Sequence, residues 1–181
     1  MRKVIVSEFV TLDGVIEGLD QWPAFHDGGM EEQEKFKSDE LLACDALLLG
    51  RVTYQIFAAS WPTETDDIGI ADRMNSLPKY VVSTTLQQVG WNASLIKGDL
   101  AQAISRIKQE GEQDVLVYGS CDLVHTLEQQ NLIDEYRLVI HPVVVGSGKR
   151  LFKEGREQMA LKLVEARPFS SGTVLLRYQK Q

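Results

Sequence analysis

Three short stretches place anion-holding groups at equivalent points of the sequence pattern. Residues 45–57 read Asp-Ala-Leu-Leu-Leu-Gly-Arg-Val-Thr-Tyr-Gln-Ile-Phe. The apolar run 46–49 is bounded by Gly50 and followed by helical spacing, which predicts a strand buried on both faces that leads into a helix. Gly50 lets the chain turn sharply or lets another group approach closely. Thr53 falls in the first turn of the helix, where backbone N–H groups lack intrahelical partners and point outward. Arg51 adds a permanent planar cation whose fork matches phosphate oxygens. The same residues also describe an ordinary strand-to-helix turn with a solvated arginine, and the local pattern leaves both readings open.

Two further junctions follow the same logic. Tyr80-Val81-Val82-Ser83 reads as a strand, with Thr84 and Thr85 supplying more hydroxyls at its end. Val115-Leu116-Val117-Tyr118 is followed by Gly119-Ser120 and then by a helix carrying Leu123, Val124 and Leu127. Ser120 is placed either to cap that helix or to meet a phosphate. In a parallel sheet all three junctions, at Gly50, Ser83 and Gly119, share the carboxyl edge, where open α/β sheets bind ligands. None of them forms a Gly-x-Gly-x-x-Gly fingerprint or a Walker A loop. Tyr-Gly-Ser-Cys-Asp around Ser120 is not a hydrolase elbow. His26, His125 and His141 stand alone, without metal-ligand spacing, so they read as structural or exposed and no metal site is expected.

The elements that must position these groups follow from the rest of the chain. Its 181 residues suggest one domain over 1–181, and 44% hydrophobic content suffices for a substantial core. Residues 3–10 read as a first strand, and Leu12-Asp13-Gly14 as a turn. A helix is expected from near Met30, with Glu31, Glu32 and Glu34 favouring its N-terminus, and Phe36 as its anchor. Ile70, Met74 and Leu77 mark a short helix before Pro78, residues 94–96 a weaker strand, and Asp99 an N-cap for a helix with Leu100, Ala103, Ile104 and Ile107 on one face. From Ile133 the pattern turns to strands: residues 136–145, interrupted by Pro142, then 160–167 and 173–179 as a hairpin. The fold class is therefore α/β, with a mostly parallel central sheet, an antiparallel C-terminal hairpin and helices on both faces. The run 136–145 is apolar on more than one face, which points to a homodimer built from the C-terminal strands. A net charge of −7 disfavours nucleic acid and anionic membranes as partners, and no apolar run approaches 18 residues. Met1 leads straight into a strand without a signal peptide, and Cys44 and Cys121 read as free thiols of a reducing, cytoplasmic compartment.

Four motifs, in order along nearly the whole chain, carry a resemblance. They are Thr11-Leu12-Asp13-Gly14-Val15-Ile16; Leu49-Gly50-Arg51-Val52-Thr53-Tyr54; Leu77-Pro78-Lys79-Tyr80-Val81-Val82-Ser83; and Val117-Tyr118-Gly119-Ser120, continued by Leu132-Ile133-Asp134-Glu135 through Pro142 to Gly148. Together they resemble the dihydrofolate reductase-like superfamily, in particular the C-terminal reductase domain of the bifunctional riboflavin-biosynthesis enzyme. The resemblance implies a three-layer sandwich and a homodimer. It also implies an NADPH-dependent reductase acting by hydride transfer on a pteridine, a pyrimidine or a related heterocycle. It assigns Arg51 and Thr53 to the cofactor's 2′-phosphate and pyrophosphate region, beside Gly50. Ser83 and Thr84 go to the adenosine-phosphate part, and the backbone at Gly119-Ser120 to the pyrophosphate. Many relatives carry a second glycine where Ser120 stands. Folate reductases place a carboxylate four residues before a phenylalanine, which from Phe36 gives Glu32 as proton donor; Asp27, Glu31 and Glu34 are alternatives. The other reading is a non-catalytic nucleotide-binding protein that keeps the groove and has lost the chemistry.

Overall fold

The computed structural model describes residues 2–22, 30–66, 69–155 and 157–181. Within these residues eight strands form one sheet: β1 (Val4–Thr11), β2 (Cys44–Gly50), β3 (Lys79–Val82), β4 (Ala93–Ile96), β5 (Asp114–Val117), β6 (Glu135–His141), β7 (Leu161–Pro168) and β8 (Val174–Lys180). Their order is β4-β3-β2-β5-β1-β6-β8-β7. The first six pair in parallel, and β8 joins β6 and β7 antiparallel. The expected mostly parallel sheet with an antiparallel C-terminal hairpin is thus the observed one.

Among the described residues, five α-helices cover it: α1 (Met30–Leu42), α2 (Arg51–Ser60), α3 (Ile70–Ser76), α4 (Leu100–Ile107) and α5 (Cys121–Gln129). Strand alternation sends side chains to two cores. Leu48, Val115 and Val117 meet Ile104, Ile107, Val124 and Leu127 of α4 and α5 on one face. Leu47, Leu49, Val81 and Leu116 meet Leu41, Tyr54 and Met74 of α1, α2 and α3 on the other. Helix α4 starts where expected, because the Asp99 carboxylate accepts from Gln102 N at 3.1 Å. Asn131, at φ +61, ends the chain's exit from α5, and its N–H donates to Glu128 O. Both cysteines are free and buried. Among the described residues, no helix is long and apolar enough to cross a membrane.

Two expectations change. The strand foreseen over 136–145 stops at His141, because Pro142 has no N–H for the ladder. Beyond it the chain is tied instead to the turn after β1: Leu12 N donates to Val143 O, and the Asp13 carboxylate accepts from Val145 N and Gly146 N. The reason given for a homodimer also fails. β6 is an interior strand whose two faces are covered by this chain, with Tyr136 and Leu138 in one core and Val139 packed with Phe169 and Leu175 on the other.

Candidate active site

Residues Gly50 and Gly119 stand at the carboxyl ends of neighbouring parallel strands, and Gly50 N donates to Gly119 O at 3.0 Å. The two turns touch so closely that a Cβ on Gly50 would lie 2.2 Å from Ser120 Oγ and 2.8 Å from Ser120 N. Gly119 has φ +89, a conformation that suits only glycine, and its missing Cβ would sit 2.9 Å from Thr53 Oγ1. The Gly119–Ser120 peptide is cis.

Each turn opens directly into a helix whose first residue lacks a side-chain cap. Gly50 precedes α2 and offers none. Ser120 occupies the N-cap of α5, but its hydroxyl makes no capping bond, so the capping role foreseen for it is not the one it plays. The first N–H groups of α2 and α5 therefore remain available side by side, and both helix dipoles direct positive potential at the same edge. Arg51 is exposed at the start of α2, with its Nη1 donating to Gln55 Oε1 at 3.0 Å and no acidic partner among the described residues. On the next strand, buried Ser83 closes the turn after β3 by accepting from Thr85 N and Leu86 N. Thr84 is exposed beside it.

A cavity of about 1240 Å³ opens next to these turns. Thr53 lies on its wall and so links the glycine cradle to the cavity. Much of the lining is apolar and aromatic: Phe9, Trp22, Phe57, Trp61 and Tyr118, with His141. His141 meets Phe9 and Trp22 ring edges at 5.4 Å centroid separations, and burial lowers its pKa. Under the cavity runs a polar chain. Lys37 Nζ lies 2.6 Å from Glu40 Oε1 and donates to Ser7 Oγ at 2.7 Å. Ser7 and Tyr118 both donate to Glu40 Oε1, and Arg137 closes on its other oxygen. The Lys37 ammonium also sits over the Tyr118 ring at 4.4 Å. Glu8 of β1 faces the same cavity, and its Oε1 is buried without a hydrogen-bond partner. Burial pushes its carboxyl up to about 8, with Lys37 pulling it down and Glu40 pushing it up.

A second, open depression of about 660 Å³ lies away from these junctions, beside Asp45 at the start of β2. There Asp45 accepts from Glu112 N and Gln113 N, which closes the loop before β5.

The structure gathers Gly50, Arg51, Thr53, Gly119 and Ser120 at one place, with Ser83 and Thr84 on the adjoining strand end. Glu32 is a correction. It is exposed, and its Oε2 accepts from Ser170 N at 2.6 Å and Ser170 Oγ at 2.7 Å. Those bonds hold its carboxyl below the usual range, the opposite of the raised pKa a proton donor needs. The physical reason is helical phase: Gln33, Lys37 and Leu41, at i, i+4 and i+8, turn to the cavity, and Glu32 turns to the β7–β8 connection. Glu34 lies on the cavity wall, and Asp27 lies outside the described residues. His125 is structural, its Nε2 within 2.9 Å of Arg150 O. Glu8, Lys37, Tyr118 and His141 were not foreseen as cavity residues. Glu8 had a signal, a lone carboxylate inside the apolar run Val-Ile-Val-Ser-Glu-Phe-Val.

Comparison with known proteins agrees with this architecture. A solved putative riboflavin biosynthesis protein from Shewanella sp. PV-4 superimposes with a TM-score of 0.75 at 21% identity, covering 99% of each chain. A pyrimidine reductase-like protein from Corynebacterium diphtheriae superimposes with a TM-score of 0.69 at 11% identity, covering 99% of this chain and 92% of that one. These two likenesses establish the fold, that of dihydrofolate reductase. In sequence, the uncharacterized protein YyaP of Bacillus subtilis (strain 168) is 32% identical over 180 residues, 98% of this chain and 94% of its own length. The RibD C-terminal domain family matches residues 2–175, and the chain belongs to that family of reductase domains.

Proposed function

We propose that the protein is an NADPH-dependent reductase that transfers hydride to a small nitrogen heterocycle of the pyrimidine or pteridine type. One observation carries the reading: two uncapped helix starts, α2 and α5, meet across Gly50 and Gly119 at the mouth of a large aromatic cavity. The cradle fits a dinucleotide, since a pyrophosphate needs backbone N–H donors that side chains leave uncovered. In this reading the N–H groups at Gly119-Ser120 and at the start of α2 hold the pyrophosphate, with Thr53 beside them. Arg51, exposed and without an acidic partner among the described residues, takes the 2′-phosphate. Ser83 shapes the turn that leaves Thr84 exposed toward the adenosine side. When bound, the reduced nicotinamide supplies the hydride. The chain's own contribution is to orient the ring and the substrate between aromatic walls and to keep water from the reacting face. Membership of the reductase family and the likeness to a pyrimidine reductase-like protein support the substrate class. The two free thiols suit a reducing compartment such as the cytoplasm.

Calorimetric titration with NADPH and NADH, followed by 340-nm assays against pyrimidine and pteridine substrates, tests the proposal. Saturable NADPH binding with weaker NADH binding is expected, and oxidation with at least one heterocycle. Absence of NADPH binding would overturn it, and binding without any turnover would favour a non-catalytic nucleotide-binding protein.

A further inference from the structure

A carboxyl oxygen buried without a hydrogen-bond partner is expensive to keep, and Glu8, half-buried as a residue, has one in Oε1. It sits two residues past Val6, which pairs with Val117 at the end of β5, so it reaches the same sheet edge as the cradle. Its Oε1 lies 3.7 Å from the position of a Cβ on Gly119, the glycine that also abuts Thr53. The carboxyl therefore stands between the nucleotide cradle and the cavity. Two other polar groups of the cavity, Lys37 and Tyr118, are already engaged. Lys37 is closed on Glu40 and Ser7 and stacked on Tyr118, and Tyr118 Oη donates to Glu40.

We infer that Glu8 is the acid of this site: held as a neutral carboxyl, it donates its proton to the substrate nitrogen as the neighbouring carbon receives the hydride. The inference rests on the reductase reading above. The bond that breaks is the Glu8 O–H. The bond that forms is N–H, on the nitrogen that takes the C=N electron pair. The C=N group is reduced by two electrons, the nicotinamide is oxidised by two, and Glu8 regains its proton from water. A heterocycle with an unprotonated ring nitrogen next to the carbon to be reduced is the substrate this acid would suit. The surroundings make Glu8 the group that changes charge near neutral pH. Burial keeps its proton on to about pH 8. Of the groups facing it, Lys37 and Glu40 of α1 form an ion pair. Burial holds Tyr118, after β5, well above its ordinary range and Cys121 of α5 up to about 11, and it holds His141 of β6 below its ordinary value.

The test needs no substrate. Oxidised nicotinamide carries a positive charge that the reduced ring lacks, and an opposite charge within a few ångströms lowers a carboxyl pKa by about 1–3 units. Calorimetry at about pH 7.5, in buffers of different ionisation enthalpy, counts protons released on binding. NADP⁺ should release roughly half a proton or more beyond NADPH. The excess should vanish in Glu8→Gln, with NADPH affinity changed less than about threefold because the carboxyl holds no part of the cofactor's phosphates. Protons bound by the 2′-phosphate cancel in the difference. Equal release with the two cofactors, or an excess that survives Glu8→Gln, would overturn the inference and leave the reductase reading standing. Failure of both cofactors to bind would instead remove that reading and the inference with it. Should Glu8→Gln fail to fold, ¹³C-glutamate NMR of the unaltered chain decides: a carboxyl titrating near 8 that drops on NADP⁺ binding supports Glu8, and carboxyls titrating only in the ordinary range overturn it.

Discussion

Replacing Gly50 by alanine probes the contact on which the cradle depends. Gly50 has φ −75 and ψ 161, which any residue adopts, so the substitution brings no backbone strain and its effect is steric. The added methyl would sit 2.2 Å from Ser120 Oγ, 2.8 Å from Ser120 N and 3.0 Å from Ser120 Cβ. Rotation about χ1 can remove the hydroxyl, but the backbone nitrogen cannot move without parting the two turns and straining the 3.0 Å bond from Gly50 N to Gly119 O. Overpacking of this kind costs about 1–3 kcal/mol. Stiffening of the unfolded chain by alanine returns roughly 0.4–1 kcal/mol, so a net loss of about 1–2 kcal/mol is expected. Ser120→Gly removes the Oγ and Cβ contacts and leaves the nitrogen contact, so Gly50→Ala/Ser120→Gly should recover about half of that loss. Urea unfolding reads the change as a shifted midpoint at constant slope. NADPH titration of the same proteins should show affinity reduced at least about tenfold in Gly50→Ala, as parted turns no longer present their N–H groups together. An unchanged midpoint with unchanged affinity, or strictly additive effects of the two substitutions, would refute this reasoning.

Arg51→Ala should weaken NADPH binding by roughly 10- to 150-fold, the equivalent of a charged hydrogen bond of about 1.5–3 kcal/mol, while NADH affinity stays nearly constant; equal losses for both cofactors in calorimetry would contradict the assignment. Glu135 is fully buried on β6 and accepts from Arg137, Arg177, Gln179 and Lys3; burial pushes its carboxyl up, but these bonds more than offset that and hold it at about 2. A depressed carboxyl stabilises the fold above its ordinary pKa of 4.5 and loses that contribution as pH falls from about 5 toward 2, a loss of about 3 kcal/mol. Urea midpoints across that range should therefore fall more steeply for the unaltered chain than for Glu135→Gln; parallel curves would count against it. Strand β7 lies at the sheet edge with Leu163 50% and Val164 45% exposed, and a homodimer through this hairpin predicts a scattering mass near twice the 20.3 kDa of one chain; a mass near 20.3 kDa at micromolar concentration would rule it out.

The β–α units were legible because each ends in a local signal. Gly50 and Gly119 close apolar runs, Asp99 caps α4, and Asn131 takes the left-handed turn after α5. The meeting of the glycine turns was legible for the same reason, since turns are written in consecutive residues. The cavity was not. Its polar chain joins Ser7, Lys37, Glu40, Tyr118 and Arg137, which come from β1, α1, the turn after β5, and β6, and meet only when the strands pair. Glu32 misled because three neighbouring acids satisfy a helix N-terminus equally well, and only the helix phase decides which one looks inward. Glu8 escaped because alternation along a strand allows a lone acid to face solvent, and nothing local says that the Gly119 turn lies against it.

A crystal structure of the chain soaked with NADPH should show the pyrophosphate against the backbone of Gly50 and Gly119-Ser120, the 2′-phosphate on Arg51, and the nicotinamide in the aromatic cavity within reach of Glu8. A dinucleotide bound elsewhere, or one whose nicotinamide points away from that cavity, would contradict the proposal.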